Sequence, residues 1–208
     1  NTSFIVMNIK RIFDFSFWHI NQTLFQDSYS YDLKFNAEFR RPGGGVLSKA
    51  ELRHPQMKYL RLYRLAQAAQ GTIWYRYYRY LLRRYSFRTG IGLDENMNIP
   101  KGLIIGHEGR IVINGAATFK GNIFLTHGVT IGRDVRGKRK GAPTFGRNVC
   151  IRCHSTVVGK IVIGDDVLIA PNTFVNFDVP SHSIVIGNPA TIHHRDWATE
   201  GHLGKNLS

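Results

Sequence analysis

Large apolar residues recur every six positions through the second half of this chain. They fall at Leu93, Ile99 and Ile105, and after two extra residues at Ile113, Phe119, Leu125 and Ile131. After eight more they resume at Phe145, Ile151, Val157, Ile163, Ile169 and Val175. Four places past many of them stands a smaller or β-branched residue: Ala117, Val129, Val149, Ser155, Ile161, Val167, Thr173, Val179. Neither helical spacing nor simple strand alternation gives this pattern. A hexapeptide period predicts a mainly β fold, a parallel β-helix whose stacked coils bury one continuous core.

The interruptions locate the loops. Insertions in a solenoid leave the core in register and project outward, often on the binding face. A short one spans Gly106–Gly109 and contains His107; a long one, RDVRGKRKGAPT, spans Arg133–Thr144.

Upstream the pattern changes. Residues 1–47 read as an irregular or weakly helical arm that breaks at Arg41-Pro42-Gly43-Gly44-Gly45. Residues 48–90 read as helical. Ser48 and Glu51 form a capping box, and Leu60, Leu62, Leu65 and Ala66 give that helix an apolar side. A second helix from Ile73 to about Tyr85 places Arg76, Arg79 and Arg83 on one stripe and Trp74, Tyr78, Leu81 and Tyr85 on another. The β-helix occupies 91–180 and a tail 181–208, so the helical segment and the tail are candidate caps for the solenoid ends.

Composition alters this picture in two ways. The net charge of +14 calls for an anionic partner. It concentrates between Ser48 and Arg88, with ten Lys/Arg against Glu51, and in the long insertion, where Arg133, Arg136, Lys138, Arg139 and Lys140 face only Asp134. Phosphates, acidic polymers and an anionic membrane surface all suit such a charge. A nucleic acid is disfavoured because no recognised binding signature accompanies the basic helix. The only cysteines, Cys150 and Cys153, form a lone CxxC on different coil faces. That favours reduced thiols in a cytoplasmic protein over a disulfide, and no second ligand pair suggests zinc. No apolar run reaches the length of a membrane span, and the N-terminus lacks a signal peptide's long apolar region.

His107 is the candidate catalytic group. It sits in an insertion, flanked by Gly106 and Gly109, which allow close approach of a substrate. A neutral imidazole is the natural general base near neutral pH.

The segments IIGHEGRIVING, LTHGVTIG and APN…VPSHSIVIGNPA resemble the left-handed β-helix acyltransferases. In particular they resemble the serine O-acetyltransferase-like branch, which includes bacterial polysaccharide O-acetyltransferases. The resemblance covers roughly residues 48–195. It implies triangular coils of three hexapeptides, homotrimers, and acetyl-CoA as co-substrate in a groove between solenoids. It makes His107 the catalytic base, and its coil geometry lines His107, His127 and the Cys153-His154 pair along one edge. His127 stands where serine acetyltransferases carry glutamine, so it would orient substrate or donate to the oxyanion. The family's acid partner falls at Gly92, which leaves Asp94 as the favoured substitute, with Glu95 and Glu108 also near. Its second active-site histidine, before a proline, falls at Ala142. CoA contacts are implied at Cys153, Lys160, Pro171, Asn176, Phe177 and Asn188.

The expected function is therefore acetyl transfer from acetyl-CoA to a hydroxyl of a sugar or surface-polysaccharide precursor. In that reading Arg136, Lys138, Arg139 and Lys140 hold an anionic substrate, on a loop that mutual repulsion keeps mobile until a polyanion arrives. The enzyme would work in the cytoplasm, with peripheral contact at the inner membrane face. Serine O-acetylation is the alternative within the class. A noncatalytic trimeric scaffold or membrane-surface binding protein is the alternative outside it. A γ-class carbonic anhydrase would need metal-binding histidines that converge across an interface, and no metal site is expected here.

Overall fold

A computed structural model describes residues 18–41, 43 and 45–203, so the arm before Trp18 lies outside the described residues. Among the described residues four helices precede twelve strands: α1 Gln22–Arg40, α2 Lys49–Leu52, α3 Pro55–Ala68 and α4 Tyr75–Thr89. The strands are β1 Ile91–Gly92, β2 Leu103–Ile105, β3 Ile111–Ile113, β4 Thr118–Leu125, β5 Thr130–Gly132 and β6 Thr144–Ile151. They continue as β7 Thr156–Val158, β8 Val162–Ile163, β9 Val167–Ile169, β10 Phe174–Val175, β11 Ser183–Gly187 and β12 Ala190–His194.

The strands wind into a parallel β-helix with three faces. One face pairs β1-β3-β5-β7-β10. A second pairs β2, the C-terminal half of β4, that of β6, then β9 and β11. The third is narrow: Thr118-Phe119, Thr144-Phe145 and β8, closed by a bridge from Ile163 to Val179. All thirteen residues of the six-residue series are buried, and so are their eight smaller companions. Phe119 and Phe145 stack in successive coils at 5.0 Å. The corner before the second face repeats a left-handed backbone at Gly102, Asn122, Asn148, Asp166 and His182. Glycine, Asn and Asp tolerate that conformation best.

The solenoid extends past the expected boundary at Pro180. Strand β11 pairs in parallel with β9, and only β12, antiparallel to β11, ends the stack. The tail then folds back onto Asp166, which accepts the backbone N–H groups of Ala198 and Thr199, the Thr199 hydroxyl (2.7 Å) and the His182 imidazole (2.9 Å).

The helical segment differs more from expectation. The arm, read from sequence as irregular or weakly helical, carries a regular 19-residue helix, α1. Its buried residues are Phe25, Ser28, Asp32, Phe35, Asn36 and Ala37. Three of these six are polar, so hydrophobic periodicity is weak there. The capping box at Ser48 and Glu51 is present but opens only a single turn, α2. Pro55 then starts α3 afresh at its first turn, where proline is tolerated. Helix α4 runs to Thr89 and ends on Gly90 in the left-handed conformation.

Helix α1 covers the outer side of the second face, where Phe35 and Phe39 pack on Ile104, Phe124, Cys150 and Leu168. That face is thus buried on both sides, and its strands read as unbroken apolar runs. A buried ion pair bolts the helices to the first coil. Arg64 reaches Asp32 at 2.7 Å and donates to the carbonyls of Ile99 and Pro100, while Asp32 accepts the N–H groups of Gly102 and Leu103. Burial lifts the Asp32 carboxyl above its ordinary value, against the opposing pull of Arg64 and those N–H groups. No helix among the described residues is long and apolar enough to cross a membrane.

Candidate active site

The site grows out of strand register. Ile105, Leu125, Ile151, Ile169 and Val185 are paired neighbours across β2, β4, β6, β9 and β11. Two residues beyond each, the chain turns the same corner, so His107, His127, Cys153, Pro171 and Gly187 form one column. Neighbouring rungs lie about 4.8 Å apart.

Three imidazoles stack on this edge. His107 and His127 have ring centroids 6.0 Å apart at 73°, and His127 and His154 are 5.1 Å apart at 84°. Cys153 holds the register position, but His154 takes the left-handed backbone conformation (φ 59°) and turns its own ring toward His127. Two glycines make the column possible. A Cβ on Gly109 would stand 2.8 Å from Cβ of His127, and one on Gly128 would collide with the His154 ring. Both glycines have positive φ, so each turn needs glycine for its backbone as well as its space. His107 and His154 are exposed and His127 half-buried, which leaves imidazole edges accessible from solvent.

Other parts of this edge escaped the sequence reading. Gln56, buried at the start of α3, donates from Nε2 to the Gly106 carbonyl at 3.4 Å and so touches the His107 turn from behind. No local signal marks it, because the contact joins residues fifty positions apart.

The remaining candidates occupy two places. Pro171 and Asn188 extend the histidine edge; the Gly187 N–H donates to Thr173 Oγ1 at 3.1 Å, which sets the Gly187–Pro189 turn against that corner. Lys160, Asn176, Phe177 and the long loop lie on the next edge, beyond β5, β7 and β10. Asp94 belongs there too. It is exposed, and its Oδ1 accepts from the backbone N–H and the side chain of Asn96, one face-width from His107. A single chain therefore does not bring Asp94 to His107. Glu95 is directed elsewhere as well, pairing with Arg79 at 2.7 Å; Glu108 is exposed beside His107.

The basic loop is folded, where mutual repulsion predicted mobility. Asp134 and Gly141 exchange backbone hydrogen bonds at 2.9 and 3.0 Å, Lys140 N–H reaches Gly137, and Lys160 N–H reaches Arg139 at 2.8 Å. Four backbone hydrogen bonds thus hold the loop while Arg136, Lys138, Arg139 and Lys140 remain exposed. Cys150 is buried, and burial pushes its thiol up to about 12, which makes it inert; Cys153 is half-buried, and both are free. No cluster suited to a metal ion occurs among the described residues.

No family model matches the chain. It is 34% identical over 139 residues to a serine acetyltransferase of Helicobacter pylori, an alignment that spans 67% of this chain and 81% of that one. Among solved structures, the serine acetyltransferase of Brucella abortus superposes with a TM-score of 0.68 at 24% identity, over 83% of this chain and 70% of that one. The serine acetyltransferase of Neisseria gonorrhoeae in complex with serine gives 0.65 at 24%, over 82% and 69%.

Proposed function

This chain belongs to the serine acetyltransferase family of left-handed, hexapeptide-repeat β-helix acyltransferases, and we propose that it acetylates the hydroxyl of serine. It is an acyl-CoA-dependent O-acetyltransferase that takes acetyl-CoA as co-substrate. The relatives named above favour serine over the polysaccharide acceptor expected from the basic loop. The observation that carries the reading is the extent of the Helicobacter pylori match, 81% of that enzyme. Local charge agrees: Glu108 and Arg110 flank the His107 turn with one carboxylate and one guanidinium, the pair a zwitterionic amino acid requires.

The chemistry follows from the imidazole column. His107 takes the proton of the acceptor hydroxyl as its oxygen attacks the thioester carbonyl. A C–O bond forms, the tetrahedral oxyanion collapses, and the C–S bond breaks. CoA thiolate leaves and recovers the proton from the imidazolium. His127, edge-on to His107, is placed to donate to the oxyanion or orient the acceptor. Cys153, Pro171 and Asn188 on this edge, with Lys160, Asn176 and Phe177 on the next, would line the CoA groove. A homotrimer is the assembly that lets these two edges meet, each groove taking the histidine edge of one chain and the loop edge of its neighbour. Asp94 could then act only from that neighbour. Acetyl-CoA consumption and two free thiols suit a cytoplasmic enzyme.

One observation favours a second acceptor. Ala142 stands where serine acetyltransferases place their second active-site histidine, and the exposed cations of the same loop suit an anionic glycan. Thiol release from acetyl-CoA, measured with serine and with a panel of sugars and glycan fragments, separates the two. Serine-dependent turnover above every sugar is expected; a sugar that outpaces serine would establish the glycan reading. Failure of all acceptors, together with no slow acetyl-CoA hydrolysis, would leave a noncatalytic scaffold.

A further inference from the structure

Helix α4 presents a face that neither the solenoid nor the chemistry uses. Its inner side is spent on packing: Leu82 is buried, and Tyr78 and Tyr85 pack on the core. Arg79 is turned to Glu95, and Tyr75 donates to the same carboxylate at 3.1 Å. Among the described residues the outer side is exposed, apart from the Trp74 indole N–H, which donates to the Trp18 carbonyl at 3.0 Å. Trp74, Tyr77, Tyr80 and Phe87 are all exposed there, Phe87 at 91%.

Four guanidiniums interleave with those rings on the same face: Arg76, Arg83, Arg84 and Arg88, all exposed. Arg84 lies over the Tyr80 ring at 5.9 Å and donates to its hydroxyl at 3.2 Å. From Gly71 to Thr89 there is no carboxylate. The helix runs 15 residues, about 22 Å at 1.5 Å per residue, so the face is a straight stripe.

We propose that this face docks the enzyme on an anionic lipid bilayer surface. Charge argues against a second copy of the chain as occupant, since two such faces would bring like guanidiniums together. Shape argues against a single-stranded nucleic acid, which needs a groove that follows its backbone while bases stack; a convex helix offers none. A bilayer surface satisfies both halves of the stripe. Guanidiniums bind lipid phosphates in bidentate fashion, and Trp, Tyr and Phe settle at the headgroup boundary. The proposal is independent of the acceptor and of the catalytic role of His107.

The test is sedimentation of the full chain with vesicles of phosphatidylcholine alone, and of phosphatidylcholine mixed with phosphatidylglycerol, at low and high salt. Binding is expected only with the anionic mixture and should weaken with salt. Replacing Arg76, Arg83, Arg84 and Arg88 together by serine should lower partition by roughly 10²- to 10³-fold, at about fivefold per arginine near an anionic surface. Vesicle-free acetyl-CoA turnover should not change, which also shows that the variant folds. Replacing the four loop cations Arg136, Lys138, Arg139 and Lys140 should leave most of the binding intact. On the wild-type chain alone, bromine-labelled acyl chains should quench tryptophan fluorescence, and Trp74→Phe should reduce that quenching. Absence of binding to the anionic vesicles at low salt, unchanged binding by the four-arginine variant, or displacement of the vesicles by a single-stranded oligonucleotide would each overturn the proposal.

Discussion

The solenoid and the helical segment that caps it are held together in opposite ways. From Ile91 to Gly187 each coil repeats its neighbour's contacts, and the inward residues are mostly apolar, so stability is spread over many equivalent rungs. From Gln22 to Thr89 the link to the solenoid is made of unlike parts: a buried ion pair, Asp32–Arg64, with the start of the first coil hydrogen-bonded to both partners, single side-chain bonds such as Tyr63 to the Met97 carbonyl and Arg79 to Glu95, and the packing of Phe35 and Phe39 on the second face. A rung can weaken without disturbing distant ones. The Asp32–Arg64 knot is the one ion pair among the described residues with both side chains fully buried. The active-site edge belongs to the redundant half, yet its His107 turn is backed by Gln56 of the other half.

The sharpest separation of chemistry from frame should come at His107. His107→Ala is expected to lower turnover by roughly 10²- to 10⁴-fold. Melting should barely move, because the ring is exposed and outside the buried series. Steady-state thiol release beside a thermal melt reads both quantities, and wild-type-like turnover would remove His107 from the mechanism.

Breaking the knot should be the largest single loss of stability. Arg64→Ala leaves the Asp32 carboxylate buried without its partner, and such changes cost about 3–5 kcal/mol. Ile163→Val, in the solenoid core, should cost only about 0.5–1.5 kcal/mol. Denaturant unfolding of both variants tests the contrast; equal losses would show that the capping helices are as redundantly held as the coils.

That contrast also explains what could be read from the sequence. The coil register was legible because an inward apolar residue at every sixth place is a direct imprint of the geometry, and all thirteen positions are buried. Helix α1 was not legible, because Ser28, Asp32 and Asn36 occupy its buried stripe and satisfy it through hydrogen bonds and charge. The histidine edge followed from counting on the triangular coil that the family resemblance implies, but the turn of His154 toward His127 depends on a left-handed backbone that counting does not show. Asp94 lies apart from His107 within one chain for a related reason: its closeness in sequence puts it on the next edge of the coil.

The C-terminal cap gives a smaller, pH-dependent effect. Burial pushes the Asp166 carboxyl up, but the Thr199 hydroxyl and N–H, His182 and the Ala198 N–H outweigh it and hold the group below its ordinary value. A depressed carboxyl stabilises the folded state fully above its unfolded value, and the contribution is lost as pH falls through the folded one. Stability should therefore decline in acid more steeply for the wild type than for Asp166→Asn. Thr199→Ala should cost about 1.5–3 kcal/mol at neutral pH, the range for a hydrogen bond to a charged group. Parallel acid-unfolding curves for wild type and Asp166→Asn would count against this linkage.

The smallest effect on stability should come from the loop on the second edge, although it carries the densest charge. Its shape is set by backbone hydrogen bonds at Asp134, Lys140, Gly141 and Lys160, which do not depend on the outward side chains. Changing Arg136, Lys138, Arg139 and Lys140 together to serine should leave stability within about 0.5 kcal/mol, as for ordinary surface positions. The consequence should appear in KM instead. If the loop clamps the phosphates of CoA across the groove from the histidine edge, KM for acetyl-CoA rises and its salt dependence softens. If the loop selects an anionic acceptor, only the acceptor's KM changes, which would strengthen the glycan reading over serine. Unchanged KM values for both substrates at low salt would make the loop a solvated basic surface.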